Sequence, residues 1–322
     1  MFDIHNRIKI FSGSSNKPLA KEIADYLKLP LGKITLKKFL DGEIFARINE
    51  TVRGVDIFVL QSTCSPVNNN LMELSIIVDA LRRASARRIT VVTPYFGYGR
   101  QDRKAHAREP ITAKLVANLL TATGADRIVT IDLHSDQIQG FFDIPLDHLT
   151  SLPIIANYLE KKRLKNMVIV SPDAGGVRRA RRLAKILKKP LVILDKRREE
   201  HNAVAEVHVI GNIKGKTAVF VDDMIDTAGT MIQAVSAVFE RGAKEAYICA
   251  THPLFSGPAI SRIKESKVKE IIVTNTIPLP KEKQTNKIKQ LSVAALLAET
   301  IKNIHEESSV SVLFKDDYWV DK

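Results

Sequence analysis

Short apolar runs rich in valine and isoleucine alternate along this chain with segments whose apolar residues recur at helical spacing. Several runs are apolar at every position, which is typical of strands buried on both faces of a parallel sheet. Alternating strands and helices predict an α/β fold with mostly parallel sheets flanked by helices. The predicted strands are residues 8–11, 57–61, 89–93, 128–133, 168–170, 191–194, 218–221, 246–250 and 271–274. The predicted helices are residues 18–27, 71–84, 113–122, 153–162, 177–187, 231–241 and 292–304.

The length of 322 residues favours two domains. A spacing is repeated in the sequence: Thr112 is followed by Gly124 and then His134, and Thr230 by Gly242 and then His252, at the same intervals. In both copies a helix pattern ends at the glycine and a strand pattern runs to the histidine. We therefore predict two related α/β domains, 1–150 and 151–322, with a C-terminal helix near 291–305 that packs back on the first domain.

The net charge of +13, from 49 basic and 36 acidic residues, favours anionic partners such as nucleotides, sugar phosphates or nucleic acid. Aromatic residues are only 6% of the chain and do not interleave with the basic clusters, which argues against single-stranded nucleic acid. No apolar run reaches the roughly 20 residues of a membrane span. Two cysteines in strand-like contexts indicate buried thiols and a cytoplasmic protein.

The segment from Val221 to Thr230 combines a predicted strand end, two carboxylates and small residues before a predicted helix. A helix N-terminus presents N–H groups without intrahelical partners and a positive dipole, so it binds phosphate. Thr227 and Thr230 add hydroxyl donors. Asp222 and Asp223 repel phosphate but suit the hydroxyls of a ribose or the water shell of a metal ion. The pattern describes a ribose 5-phosphate site, and the alternative is a capped helix without a ligand.

Two further residues end predicted strands at the edge where α/β sheets bind ligands. His134 follows the strand 128–133, and Asp173 follows the strand 168–170. An imidazole and a carboxylate could hold Mg²⁺, directly or through water and substrate phosphates. The alternative for each is a hydrogen-bonded structural residue.

Three polar segments lie next to predicted strands. Lys196 and Arg198 lie in a loop after the strand 191–194, where they could close over a substrate or form a plain solvated turn. Residues 97–106 are a polar, basic insertion before Thr112, at the carboxyl end of a strand. Residues 39–43 lie between two strand patterns, and their carboxylates could accept hydrogen bonds from an adenine amino group.

Together these residues resemble the ribose-phosphate pyrophosphokinases, and are most similar to the bacterial-type members of the first class. The likeness runs from Phe11 to Phe314. The segments that carry it are 39–43, 100–104, 108–114, 132–134, 137–145, 171–176 and 221–230. The resemblance implies two phosphoribosyltransferase-like domains and transfer of the diphosphoryl group of ATP to the 1-hydroxyl of ribose 5-phosphate, with release of AMP, for nucleotide biosynthesis.

The resemblance also implies roles for individual residues. It implies ATP contacts by Phe39, Asp41, Gly42, Glu43, Arg100 and Gln101, a Mg²⁺ site at His134 and Asp173, and catalysis by Lys196 and Arg198. It implies ribose 5-phosphate contacts by Arg198, Asp222, Asp223, Asp226, Thr227, Ala228, Gly229 and Thr230. Family members assemble as dimers and often as hexamers, so a homo-oligomer is expected, without nucleic acid or membrane partners.

Two other functions remain open on the sequence. A non-catalytic regulatory relative of this family would keep the fold, but such relatives typically lose the ATP and catalytic-loop residues that are present here. A phosphoribosyltransferase would share the segment 221–230, but it would need only one domain of this kind and no insertion at 97–106.

Overall fold

A computed structural model describes residues 8–197 and 206–314 of the chain. These residues form two compact units. The first contains residues 8–150, 276–278 and 292–314, and the second contains residues 151–197, 206–275 and 279–291. In the described part of the chain, no helix has the length and apolar character needed to cross a membrane.

The strands and helices follow one another in the predicted alternation. The strands are β1 (Ile8–Ser12), β2 (Ile34–Lys38), β3 (Ile44–Ile48), β4 (Asp56–Leu60), β5 (Arg88–Thr93), β6 (Arg127–Ile131), β7 (Leu146–Leu149), β8 (Met167–Ser171), β9 (Leu191–Arg197), β10 (Glu206–Ile210), β11 (Thr217–Ile225), β12 (Glu245–Pro253), β13 (Glu270–Thr274) and β14 (Ile288–Leu291). The helices are α1 (Lys17–Leu27), α2 (Val67–Arg83), α3 (Thr112–Thr123), α4 (Leu152–Lys162), α5 (Val177–Ile186), α6 (Gly229–Glu240), α7 (Ala259–Glu265) and α8 (Ala294–His305).

The first unit has a five-stranded parallel sheet in the order β1-β4-β5-β6-β7. β2 and β3 form a separate antiparallel hairpin. The C-terminal helix α8 packs on α1. Its end is also held within this unit, because the buried carboxylate of Asp56 accepts a hydrogen bond from Arg88 and contacts Nδ1 of His305 at 2.9 Å.

The second unit has a seven-stranded sheet in the order β10-β9-β8-β11-β12-β13-β14, in which only the β9–β10 pair is antiparallel. Successive residues of its central strands enter opposite cores. Ala218 and Phe220 pack in the core that contains α6 and α7, whereas Val219 and Val221 pack in the core that contains α4 and α5. Because side chains alternate along a strand, a strand covered on both faces must be apolar at every position. The predicted fold class is confirmed.

The two units share an order of strands. Without β9 and β10, the second sheet is β8-β11-β12-β13-β14, which corresponds to β1-β4-β5-β6-β7. In each unit a hairpin comes after the helix that follows the first strand of this order, α1 in one and α5 in the other. This correspondence pairs α6 with α2, whereas the spacing from Thr112 and Thr230 pairs α6 with α3. The spacing reflects a local requirement, because the helices α3 and α6 are both followed by a glycine with positive φ, Gly124 and Gly242.

Each predicted strand and helix overlaps an observed one. The sequence patterns do not predict β7, β10, β14 or α7, which have only four to seven residues each. The three missed strands contain polar residues and so lack the continuous apolar run that marks the predicted strands of similar length, and the seven residues of α7 are too few for a helical period to show.

Candidate functional site

The segment 222–230 leaves the carboxyl end of β11 and enters α6. β11 is longer than the sequence predicts: it pairs with β12 as far as Ile225, but its pairing with β8 ends at Phe220. Beyond Phe220, β12 is therefore the only neighbour of β11 among the described strands. Asp222 and Asp223 lie on this extended part of the strand rather than after it.

The start of α6 has the geometry of an anion site. Ala228 adopts a left-handed conformation, with φ 61° and ψ −3°, and its carbonyl accepts the hydrogen bond from Ile232 N at 2.9 Å. The first N–H groups of a helix have no intrahelical partner, so this turn directs several donors out of the N-terminus of α6. The side chains of Thr227 and Thr230 are on exposed residues at the same turn.

Asp222 and Asp223 form an acidic pair beside a guanidinium group. Nη1 of Arg179 lies 3.2 Å from Oδ1 of Asp222 and 3.4 Å from Oδ1 of Asp223. The side chain of Asp223 is 5% exposed and that of Asp222 is 26% exposed. Burial and the charge of Asp223 raise the pKa of Asp222 to about 7, and Arg179 opposes the rise. Asp222 can therefore exchange a proton near neutral pH.

Asp173 lies in the loop between β8 and α5. Its Oδ1 accepts a hydrogen bond from Gly176 N at 2.9 Å, and its carbonyl accepts one from Ser171 Oγ at 2.7 Å. β8 and β11 are parallel neighbours, so the loops that follow them lie at the same edge of the sheet. Arg179, in the first turn of α5, links the loop of Asp173 to the acidic pair. The structure thus brings the predicted sugar and metal residues of the second unit to one edge.

In the first unit, Arg100 and Gln101 lie between the carboxyl end of β5 and the start of α3. The Gln101 carbonyl accepts a hydrogen bond from Ala113 N at 3.1 Å, and its side chain accepts one from Thr112 Oγ1. A Cβ added to Gly99 would lie 3.7 Å from Cβ of His134. The insertion therefore contacts the segment after β6, and His134 lies beside the loop that carries Arg100 and Gln101.

The predicted adenine contacts lie at the tip of the β2–β3 hairpin. Glu43 N donates to Oδ1 of Asp41 at 3.0 Å, and Gly42, with φ 99°, completes the tight turn. Phe39 is 53% exposed, with its ring 6.0 Å from that of Phe45. The tip presents an aromatic face and two exposed carboxylates to solvent, on a sheet separate from the one that leads to Arg100.

The predicted catalytic loop is described only at its base. Lys196 belongs to β9, where its backbone is in register with Val207 of β10. Arg198 lies outside the described residues. β9 and β10 are antiparallel neighbours, and residues 198–205 lie between them in the sequence.

Sequence reasoning missed two arginines. Arg179 lies in the basic cluster 178–182, which has the composition of a solvated helix face, yet it contacts both aspartates. Its position in the first turn of a helix after a Gly-Gly loop is the signal that could have found it. Arg262 of α7 donates to the Thr227 carbonyl at 2.9 Å, and nothing in the sequence connects the two.

In the described part of the chain, few side chains are placed together as possible ligands of Mg²⁺. Among the described residues, no group of three or more His, Cys, Asp or Glu side chains is placed to hold a metal ion. Such a set fits Mg²⁺ that is bound mainly by water and substrate phosphates, because Mg²⁺ commonly uses one or two carboxylates from the protein.

Comparison with known proteins agrees with this arrangement. The model of the N-terminal domain of ribose phosphate pyrophosphokinase matches residues 8–124, and that of the phosphoribosyl synthetase-associated domain matches residues 201–315. The ribose-phosphate pyrophosphokinase of Bacillus caldolyticus is 56% identical over 98% of this chain and 100% of its own length. That of Caldanaerobacter subterraneus is 58% identical over 96% of this chain and 98% of its own length.

A solved structure is similar throughout. The crystal structure of phosphoribosylpyrophosphate synthetase from Mycobacterium smegmatis matches with a TM-score of 0.90 and 45% identity, over 94% of this chain and all of that one. The chain belongs to the ribose-phosphate pyrophosphokinase family. The family suggested by the sequence motifs, and with it the assignment as an enzyme, is confirmed.

Proposed function

We propose that this chain transfers the diphosphoryl group of ATP to the 1-hydroxyl of ribose 5-phosphate and releases AMP. One observation carries the proposal: the edge of the second sheet joins an anion-binding helix start to a carboxylate pair that suits a diol. A phosphate and a diol are the two recognition features of ribose 5-phosphate. Membership of a family named for this reaction supports the same conclusion.

The second unit binds the sugar in this proposal. Asp226, Thr227, Ala228, Gly229 and Thr230 hold the 5-phosphate through the turn at the start of α6. Asp222 and Asp223 bind the ribose hydroxyls, which is supported by their partial burial and by their shared contact with Arg179. Because the carboxylates lie on the strand and the phosphate donors lie at the helix, the sugar is oriented along the segment 222–230.

The first unit binds ATP in this proposal. Phe39, Asp41, Gly42 and Glu43 contact the adenine, and their exposure on the hairpin tip leaves the aromatic and carboxylate surfaces accessible. Arg100 and Gln101 contact the phosphates. The bonds of Gln101 to Ala113 and Thr112 support this assignment, because they tie the loop to the start of α3.

Catalysis needs positioning and charge neutralisation rather than a protein nucleophile. The 1-hydroxyl oxygen attacks the β-phosphorus of ATP and loses its proton to water, while the bond between the β-phosphorus and the α,β-bridging oxygen breaks and AMP leaves with that oxygen. Lys196, Arg198 and Arg100 neutralise charge on the phosphates, as cationic side chains do in other phosphoryl transfers. Bound Mg²⁺ would supply further charge neutralisation, with His134 and Asp173 as its protein ligands directly or through water.

We also propose that the chain forms a homo-oligomer, dimer-based and up to a hexamer, in the cytoplasm. Apolar side chains recur every fourth residue at Ile111, which immediately precedes α3, and at Leu115 and Leu119 on that helix, and all three are exposed. Such a stripe is typical of a helix face that packs on a partner, and here that partner is a second copy. Cytoplasmic placement is supported by the burial of both cysteines, Cys64 and Cys249, which do not pair in a disulfide.

The decisive experiment mixes purified protein with Mg²⁺, ATP and ribose 5-phosphate and separates the nucleotides. AMP formed in equal amount with phosphoribosyl pyrophosphate is the expected result. ADP as the product indicates a simple kinase and overturns the proposal. Phosphoribosyl pyrophosphate binding without AMP formation would favour a phosphoribosyltransferase or a non-catalytic relative.

A further inference from the structure

The loop 225–227 has three consecutive carbonyl groups held by the segment 255–262. The carbonyl of Ile225 accepts from Phe255 N and that of Asp226 from Ser256 N, each at 3.0 Å. The carbonyl of Thr227 accepts from Nη1 of Arg262 at 2.9 Å. The first two donors are backbone groups that any sequence supplies. The third is a side chain, so the last of these three contacts depends on the residue at position 262.

The Thr227 carbonyl controls the direction of a neighbouring donor. A trans peptide is planar, with its C=O and N–H groups on opposite sides. Arg262 draws the Thr227 oxygen towards α7, and this turns the N–H of Ala228 to the opposite side. Ala228 has φ 61°, in a region disfavoured for a residue with a Cβ atom. This turn therefore needs support from outside the loop to remain in place.

The space around Gly229 is also limited by the guanidinium group of Arg262. A Cβ added to Gly229 would lie 3.0 Å from Nη1 of Arg262, closer than ordinary van der Waals contact. Gly229 has no positive φ that would require glycine. The missing side chain instead leaves room for the guanidinium group, so a hydrogen bond and a packing constraint both place Arg262 against this turn.

We propose that Arg262 is a positioning residue that keeps the Ala228 N–H directed at the 5-phosphate of the sugar. It acts through the Thr227–Ala228 peptide and remains on the far side of that peptide from the ligand. The inference rests on the proposed function of the segment 222–230. Loss of Arg262 lets the peptide rotate, which weakens recognition of the phosphate and leaves ATP binding and the chemical step intact.

The test compares Arg262→Met with Lys264→Met, which removes a positive charge from the same short helix. Calorimetric titration with ribose 5-phosphate should give about tenfold weaker binding for Arg262→Met, the loss expected from one charge-assisted hydrogen bond. Steady-state kinetics should give a KM for ribose 5-phosphate raised by about the same factor. The kcat and the KM for ATP should stay within about twofold. Lys264→Met should match the wild type in all of these quantities.

A double-mutant cycle with Gly229→Ala tests the packing. Gly229→Ala should weaken ribose 5-phosphate binding in two ways, because its Cβ crowds the phosphate turn and also displaces the guanidinium group. In Arg262→Met the guanidinium group is absent, so the loss caused by Gly229→Ala should be smaller in that background than in the wild type. Losses that multiply in the double variant would show that the two residues act separately and would overturn the inference.

The binding measurements distinguish a failure of the role of Arg262 from a failure of the proposed function on which that role rests. If the wild type binds no ribose 5-phosphate, the proposed function fails. If the wild type binds it and Arg262→Met binds it as tightly as Lys264→Met does, only the role of Arg262 is refuted. A melting temperature of Arg262→Met near that of the wild type is expected, because the side chain is exposed.

Discussion

The ends of β4 and β11 occupy equivalent places in the two sheets. Ser12 ends β1 opposite Leu60, and Val170, one residue before the end of β8, lies opposite Phe220. When β1 and β8 are aligned at their last residues, Gln61 of the first unit corresponds to Asp222 of the second. The same position in one topology therefore carries a neutral amide in one unit and a carboxylate in the other.

In the first unit, the side-chain amide of Gln61 forms hydrogen bonds with other residues of the same unit. Gln61 is fully buried, and its Oε1 accepts from Ser15 N at 3.0 Å and from Ser15 Oγ at 2.7 Å. Its Nε2 donates to Glu73 Oε1 at 2.8 Å, and that carboxylate also accepts from Ser14 N at 2.6 Å. A Cβ at Gly13 would collide with Oε1 of Gln61. The loop after β1 thus binds a carboxylate of its own unit.

In the second unit, the equivalent residue Asp222 belongs to an acidic pair. Asp222 and Asp223 share one arginine, and the pKa of Asp222 is raised because burial and like charge disfavour its ionised form. An arrangement that lowers stability in the folded state is typical of a binding site. The comparison teaches that the same strand end can carry polar groups that hydrogen-bond within their own unit, as at Gln61, or an acidic pair beside one arginine, as at Asp222 and Asp223.

The hairpins β2–β3 and β9–β10 can be compared in the same way. Of the variants proposed, Lys196→Ala should have the largest effect, a loss of kcat. Lys37 lies in the hairpin that follows α1, and Lys196 lies in the equivalent hairpin that follows α5. Lys196→Ala should lower kcat about a thousandfold with little loss of ribose 5-phosphate binding, because it removes a cation from the transferring group. Lys37→Ala, on an exposed residue of β2, is the matched control. Turnover of Lys196→Ala close to that of the wild type would contradict the assignment.

Removal of both carboxylates should have the next largest effect. Asp222→Ala with Asp223→Ala should weaken ribose 5-phosphate binding about a hundredfold, since two charge-assisted hydrogen bonds to hydroxyls are lost. ATP binding should stay within about twofold, as measured by calorimetric titration of each ligand. Asp25→Ala, which removes an exposed carboxylate on α1, should change neither. An unchanged affinity for ribose 5-phosphate would remove the functional half of the comparison.

At the equivalent position of the first unit the effect should be on stability. Gln61→Leu should lower the free energy of unfolding by about 2–4 kcal/mol, because it leaves buried partners of the amide unsatisfied. The KM for ribose 5-phosphate should stay within about twofold. Urea unfolding measures the first quantity, and Gln284→Leu, on an exposed residue, should change it by less than about 0.5 kcal/mol. The comparison fails if Gln61→Leu instead raises this KM strongly at wild-type stability.

The smallest effect should be a gain of stability in Asp222→Asn. The pKa of Asp222 is about 7 in the folded protein against an ordinary value of 3.8. A carboxyl group whose pKa is raised by folding favours the folded state fully below pH 3.8, and this contribution is lost as the pH rises through 7. Asp222→Asn should therefore melt above the wild type at pH 8, and the difference should shrink towards pH 4. A difference independent of pH would contradict the raised pKa.

Local patterns in the sequence were enough to predict most of the fold. Val219 and Phe220 belong to an apolar run that can only be buried on both faces, and Gly124 and Gly242 mark helix ends through their positive φ. These features depend on neighbouring residues, whose spacing the sequence states directly. The nine-residue length of β11 could not be predicted, because its last four residues are in strand only through pairing with β12.

Features of the candidate site can likewise be divided into those that the sequence predicts and those that depend on the tertiary structure. The sequence by itself determined the helix start at Ala228–Thr230, the paired carboxylates and the family, because each depends on residue types at fixed spacing. Only the tertiary structure decided that Arg179 contacts both carboxylates, that Arg262 donates to the Thr227 carbonyl, and that Gln61, at the position equivalent to Asp222, bonds to Ser15 and Glu73. Such contacts join residues that are distant in the chain, and their partners are chosen by the order of strands in each sheet.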